Sequence, residues 1–217
     1  MNFYIADLHL GHENIIRLSK RPFKSVDEMD RTIIDNINKT VKPTDDLWIL
    51  GDFSYKGAKD PIEYLKQINC KKHLIIGNHD NKLLSDLNAK KYFNTITNYK
   101  KINDNGRAVV LCHYPIAEWD GYFRGSYHLF GHVHNNFSNP WYKYMSSLDN
   151  CYNVGVDVTD FKPVTLDQLI NKSVWAQLVR RSPGKRVIGL INWYVGSSPI
   201  ADAKDVRIQS INEFSCN

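Results

Sequence analysis

Five short stretches of the chain carry residue types that bind metal ions and move protons. They are Asp7-Leu8-His9, Gly51-Asp52, Gly77-Asn78-His79-Asp80, Cys112-His113 and Gly131-His132-Val133-His134. Each offers carboxylate, amide or imidazole donors, and each follows a short apolar run. Asp7 and His9 are two residues apart, as are His132 and His134, so in extended backbone both members of a pair point to the same side. That suits two ligands on one ion or on adjacent ions. Seven candidate ligands result: Asp7, His9, Asp52, Asn78, His113, His132 and His134. This is more than a single tetrahedral zinc takes. Two divalent ions sharing a bridging carboxylate would use them all. Mixed imidazole and carboxylate ligation suits manganese, iron, zinc or nickel, and the ligand set contains no thiolate. Two ions roughly 3.5–4 Å apart promote in-line displacement at phosphorus, by activating a water, orienting the phosphate and neutralising its oxygens.

The elements that must position these groups are legible as apolar runs. Strand-like segments are Phe3–Ala6, Leu47–Leu50, His73–Ile76, Ala108–Cys112, His128–Phe130 and Tyr152–Val156, each ending at Gly, Asn or Asp or leading into a motif. Between them lie helix-like segments. Ser25–Val41 has a cap candidate followed by Glu28, with Met29, Ile33, Ile34 and Ile37 at helical spacing. Asp60–Ile68 places proline in the first turn. Asn81–Ala89 and Thr165–Val179 are further helical segments. Asn103-Asp-Asn-Gly106, inside Tyr99–Cys112, reads as a hairpin turn. Strands alternating with helices predict an α/β layered fold, in which ligands gather where strands end at the carboxyl edge of a sheet. Gly51, Gly77 and Gly131 permit sharp turns and close backbone approach there.

The 217 residues are 42% hydrophobic and 24% charged, which excludes a disordered chain, a collagen-like repeat and a multi-span membrane protein. No apolar run is long enough for a transmembrane helix. The first residues lack a basic and apolar leader, and the four cysteines form no C-x-x-C pair, so a reducing, cytoplasmic setting is expected. The net charge of +5 is uneven. Residues 171–217 hold 7 basic and 3 acidic residues, against 21 and 20 in residues 1–170. The expected organisation is one domain over 1–170 and a basic extension over 171–217 of unassigned role, read first as a solvated tail and second as a nucleic-acid contact. Val187–Ile191 and Trp193–Val195 are candidates for an extra hairpin in that extension.

The five motifs, in this order, resemble the calcineurin-like metallophosphoesterase superfamily, whose pattern is D-x-H, G-D, G-N-H-[DE], H and G-H-x-H. The resemblance runs from Asp7 to His134 and on to about Val164, and Asp7-Leu-His-Leu-Gly-His-Glu-Asn-Ile15 is similar to a small single-domain bacterial and phage branch. It implies a four-layer α/β/β/α sandwich. It also implies that Asp7, His9 and His134 hold one ion, that Asn78, His113 and His132 hold the other, and that Asp52 bridges them, with manganese expected first. His79 would be the general acid, oriented through a hydrogen bond that Asp80 accepts, and the nucleophile would be a metal-bridging hydroxide. A phosphodiester of nucleotide, cyclic-nucleotide or RNA type is the expected substrate. The rivals are a phosphomonoesterase and a non-catalytic scaffold or nucleic-acid-binding module.

Further candidates sit outside the motifs. His12, Arg17, Arg21 and Arg124 are candidate substrate contacts, the arginines because guanidinium binds phosphate bidentately. Trp119, Tyr122, Phe123 and Tyr127 are candidates for a specificity wall or for loop packing. His73 and His128 read as structural. Of eight histidines, five (His9, His79, His113, His132, His134) fall within the motifs.

Overall fold

A computed structural model describes residues 1–55 and 59–181, with side chains described through 173. The chain divides into two compact units, Met1–Trp175 and Ala176–Asn217. The expected hairpin of the basic extension lies outside the described residues.

The first unit contains two four-stranded sheets. In the first, β1 (Asn2–Ile5), β2 (Asp46–Leu50), β3 (Lys71–Ile75) and β4 (Thr95–Thr97) run in that order, all parallel. Their connections carry α1 (Glu13–Leu18), α2 (Val26–Thr40), α3 (Pro61–Gln67), α4 (Asn81–Ser85) and α5 (Leu87–Lys90). In the second, β5 (Tyr99–Asp104) pairs antiparallel with β6 (Arg107–Cys112), and β7 (Tyr127–Phe130) and β8 (Cys151–Asn153) follow in parallel. The β5–β6 loop is the expected Asn-Gly turn, with Asn105 and Gly106 at φ 51° and 82°. Helix α6 (Pro140–Met145) precedes β8, and α7 (Leu166–Arg181) follows it.

Strand alternation sorts the apolar residues into layers. Phe3, Ile5, Leu47, Ile49 and Leu74 face the helices, meeting Met29, Ile33 and Ile37 of α2 and Leu65 of α3. Tyr4, Ala6, Trp48, Leu50 and Ile75 face the other way, into a core shared with Val109, Leu111 and Leu129 of the second sheet and with Leu166 and Leu169 of α7. The outer face of the second sheet packs Val110, Phe130 and Cys151 against Trp119 and Met145. Both faces of β1, β2, β6 and β7 are thus covered, which is why they read as near-continuous apolar runs, while edge strand β5 stays mostly exposed and polar. This is the four-layer α/β/β/α arrangement. The fourth layer is thin, because short α6 and the 114–126 coil supply it. Trp119 belongs to that layer, its Nε1 donating to Ser126 O at 3.1 Å.

Local chemistry sets the helix ends. Ser25 caps α2 by accepting from Glu28 N at 3.2 Å, and Asp60 caps α3 by accepting from Ile62 N at 2.9 Å. The segment expected as one helix over Asn81–Ala89 is instead two, α4 and α5. Asp86 adopts extended backbone and caps the second by accepting from Asn88 N at 2.7 Å. A capping acid inside an apolar periodic run offers the backbone this alternative.

Candidate metal centre

The motifs converge where the carboxyl ends of β1, β2, β3, β6 and β7 meet. The two sheets are joined there by main-chain bonds, Ala6 N to Val154 O at 2.9 Å and Val156 N to Ala6 O at 3.0 Å. Five of the seven candidate ligands occupy the left-handed region: Asp7, His9, Asp52, His132 and His134, at φ 49–71°. Each such non-glycine residue costs about 1 kcal/mol or more and persists only where its surroundings fix it. Close approach is enforced beside them. A Cβ on Gly77 would fall 2.5 Å from Asp52 N, and one on Gly131 would fall 2.6 Å from the Ala6 Cβ.

Asp7, His9, Asp52 and His113 are buried. Ligand atoms of Asp7, His9 and His134 lie within 4.8 Å of one another, as do those of Asp7, Asp52 and His113. Asp52 Oδ2 stands 3.5 Å from His9 Nε2 and 3.6 Å from His113 Nε2, facing both subsets. Asn78 Oδ1 lies 3.0 Å from both His113 Nε2 and His132 Nδ1. His113 Nδ1 sits 2.8 Å from Leu50 O, so that nitrogen carries the proton and Nε2 presents a lone pair inward. Asp7 accepts from His132 N at 3.0 and 2.9 Å, tying the first motif to the last.

The donor set fits divalent cations. Both ring nitrogens of His9 are buried without a hydrogen-bond partner among the described residues, a costly state that a metal bond would relieve. Burial pushes the Asp7 carboxyl up to about 6, although His134 and His113 draw it down. Burial, and then the neighbouring His134 and Arg21, hold His9 well below the ordinary histidine range. The imidazole nitrogens, that of His9 held neutral by burial, and a carboxylate in need of a positive neighbour form an N/O site for a borderline metal.

Not every candidate joins this cluster. Arg21, expected as a phosphate clamp, is 5% exposed. Its fork is taken up inside the protein, by Asp157 through Nε at 2.8 Å and an Nη at 3.1 Å, and by the carbonyls of Leu8 and Asp7 at 2.9 and 2.8 Å. Arg17 is exposed on α1, and Arg124 pairs with Asp120 at 3.4 Å. Asp80, expected to orient the His79 ring, instead accepts from three backbone amides: Gly77 N at 2.8 Å, Asp52 N at 3.0 Å and Phe53 N at 2.9 Å. Burial pushes its carboxyl up to about 6 against the pull of those amides. His79 is exposed, its ring 5.4 Å from that of His9, and its amide donates to Asp52 Oδ1 at 2.9 Å.

His12 joins the site through ring contacts. It stacks on Tyr55 at 3.9 Å and lies 5.5 Å from His9, with Nδ1 buried and unpartnered among the described residues. Tyr55 also meets the His79 ring edge-on at 5.0 Å. Tyr55 and Asp157 are additions that motif reading missed. Asp157 Oδ2 lies 2.8 Å from His134 Nδ1. Burial opposes charge on both partners and is the largest single effect, but their mutual hydrogen bond and the charges around them, Asp7 beside His134 and Arg21 beside Asp157, together outweigh it. His134 is held above, and Asp157 below, its ordinary value. The signal for Asp157 was present, since it too is an acid just past an apolar run.

Two stacked sheets with a buried carboxylate and imidazole cluster at one edge define the class: an α/β protein with a candidate metal centre. The chain belongs to the calcineurin-like phosphoesterase family, whose sequence model matches residues 3–188. It is 32% identical over 180 residues to the uncharacterized protein MJ1445 of Methanocaldococcus jannaschii, covering 82% of this chain and 94% of that one. Gene 66 protein of Mycobacterium phage L5 is 35% identical over 81 residues, covering 36% of this chain and 39% of that one. The crystal structure of AQ665, a protein of unknown function from Aquifex aeolicus, superposes with a TM-score of 0.63 at 32% identity, covering 79% of this chain and 98% of that one.

Proposed function

We propose that this protein is a two-metal phosphodiesterase acting on nucleotide-type substrates, including short RNA. The observation that carries the two-ion reading is the position of Asp52 Oδ2, 3.5 Å from His9 Nε2 and 3.6 Å from His113 Nε2. One carboxylate between two imidazole-bearing groups supports a shared, bridging ligand. Asp7, His9 and His134 would hold one ion, and Asn78, His113 and His132 the other. Bound there, a pair of divalent cations, manganese first, would supply charge neutralisation on the phosphate and a water activated at neutral pH.

The chain's own residues do the rest. Asp7 and Asp52 bring the negative charge that retains cations at a buried edge. Leu50 O and Asp157 fix the proton positions on His113 and His134, leaving the opposite nitrogen of each to bind. His79, exposed at the rim with its backbone amide held by Asp52, would protonate a departing alkoxide. Alkyl diesters, whose alkoxide leaves poorly, are among the substrates that such an acid would help most. The half-exposed Tyr114 ring, 4.7 Å from the His132 ring, offers a base a stacking surface beside the site.

Hydrolysis of bis-p-nitrophenyl phosphate and p-nitrophenyl phosphate with manganese tests the reading. Faster turnover of the diester is expected, with loss of activity in Asp52→Asn. A strong monoester preference would overturn the diester assignment, and full activity in Asp52→Asn would overturn catalysis at this site.

A further inference from the structure

Arg21 and Asp157 form a fully buried ion pair, with side-chain exposures of 0% and 1%. Neither is among the candidate ligands, yet the pair touches two of the three residues of one ligand group, His134 through its ring and Asp7 through its carbonyl. Asp157 Oδ2 receives His134 Nδ1 at 2.8 Å, and the Arg21 guanidinium grips Asp157 with two N–H groups. The same guanidinium donates to the carbonyls of Asp7 and Leu8, the backbone of the Asp7-Leu8-His9 loop. Asp7, His9 and His134 all hold left-handed backbone angles, 58°, 51° and 49°. Such angles need outside restraint, and here a single planar fork restrains both loops.

We infer that Arg21 and Asp157 are positioning residues that set the first metal subsite, Asp7, His9 and His134, while leaving the second subsite to its own supports. Asp157 fixes the proton on His134 Nδ1 and so turns Nε2 toward the ion. Arg21 fixes Asp157 and holds the Asp7–His9 loop in register with it. The second group has supports that the pair does not touch: Leu50 O holds the His113 ring, Asn78 Oδ1 meets the rings of His113 and His132 within the group, and its direct link to the first group is the His132 amide, which Asp7 accepts. The inference rests on the two-ion reading above.

Manganese titration of the full chain, with free Mn²⁺ followed by electron paramagnetic resonance, separates the two. Wild-type protein is expected to bind two ions. Asp157→Asn is expected to weaken one of them by about 10- to 100-fold, the usual cost of losing a group that orients a ligand, and to leave the other unchanged. Breaking a buried pair also strains the fold, so a second variant is needed. Replacing both partners with apolar groups, Arg21→Met with Asp157→Leu, is often close to neutral for stability. The inference expects that double variant to fold and still to bind one ion weakly. Two tight ions in the folded double variant would overturn it and reduce the pair to structural cement. No bound ion in the wild type would overturn the two-ion reading, and the inference with it. Nitrogen-15 spectra of the metal-free wild type at alkaline pH add a check independent of any variant. They should report the proton on His134 Nδ1, and a proton on Nε2 would contradict the role given to Asp157.

Discussion

Asp52, His79 and His128 illustrate three demands on a single residue: to face two partners, to face solvent and to be sealed from it. His79 is exposed beside His9, and its predicted work is proton donation to a poor leaving group. His79→Gln should therefore slow hydrolysis of an alkyl phosphodiester by about 10²- to 10⁴-fold, and of a p-nitrophenyl ester much less, because p-nitrophenolate leaves without help. Equal losses on both, read from kcat, would argue against the acid role. His128 is fully buried, with Nε2 accepting from Ile116 N at 3.1 Å and Nδ1 3.2 Å from Val110 O. Burial lowers its pKa to about 4, against the pull of neighbouring backbone bonds. The unfolded chain, with an ordinary histidine near 6.5, binds that proton more readily. The stability this residue contributes is thus whole above about pH 6.5 and is lost as pH falls toward 4. Denaturant unfolding at pH 7.5 and pH 5 should show the wild type losing about 2 kcal/mol relative to His128→Gln over that interval.

At the scale of elements, the site depends on strand ends being packed backbone to backbone. Gly51 and Gly77 sit at the ends of β2 and β3, and a Cβ on Gly77 would also lie 2.9 Å from the Gly51 Cα. Asp80 then ties Gly77, Asp52 and Phe53 together through their amides. Gly77→Ala should destabilise the fold by about 1–3 kcal/mol, as overpacking does, and reduce metal binding. An unchanged melting temperature and metal content would show these loops to be looser than described. The buried strands were legible from sequence because both of their faces are covered, so apolar runs mark them, whereas exposed β5 was legible only through the Asn-Gly turn that follows it. Motif residues were legible because each follows such a run. What sequence could not convey was the direction of long polar side chains. Arg21 reads as a phosphate clamp until the fold closes it around Asp157, and Asp80 reads as a partner for His79 until backbone amides claim it. Nor was the break between α4 and α5 visible, since Asp86 caps within a leucine pattern. Short α1, α6 and β4 carry too few periodic residues to announce themselves.

At the scale of the whole molecule, both sheets and all three apolar clusters found among the described residues lie within residues 1–170. Leu166 and Leu169 of α7 are part of the inter-sheet core, so a cut at 170 would sever a packed helix. Truncation after Arg181 avoids that and should preserve folding and hydrolysis of a small diester. It removes Lys185, Arg186, Lys204 and Arg207. A nucleic-acid tether in that segment predicts weaker RNA binding and a shallower salt dependence after truncation, whereas unchanged binding would dismiss the tether. No helix among the described residues is long and apolar enough to cross a membrane, and Cys70, Cys112 and Cys151 are free thiols.

The central claim is that one edge of a two-sheet sandwich holds two divalent ions on seven named side chains. Diffraction from crystals grown with manganese, recorded for anomalous scattering, tests it most directly. Two peaks are expected, one against Asp7, His9 and His134, the other against Asn78, His113 and His132, with Asp52 reaching both. A single peak, or none at these residues, would contradict it.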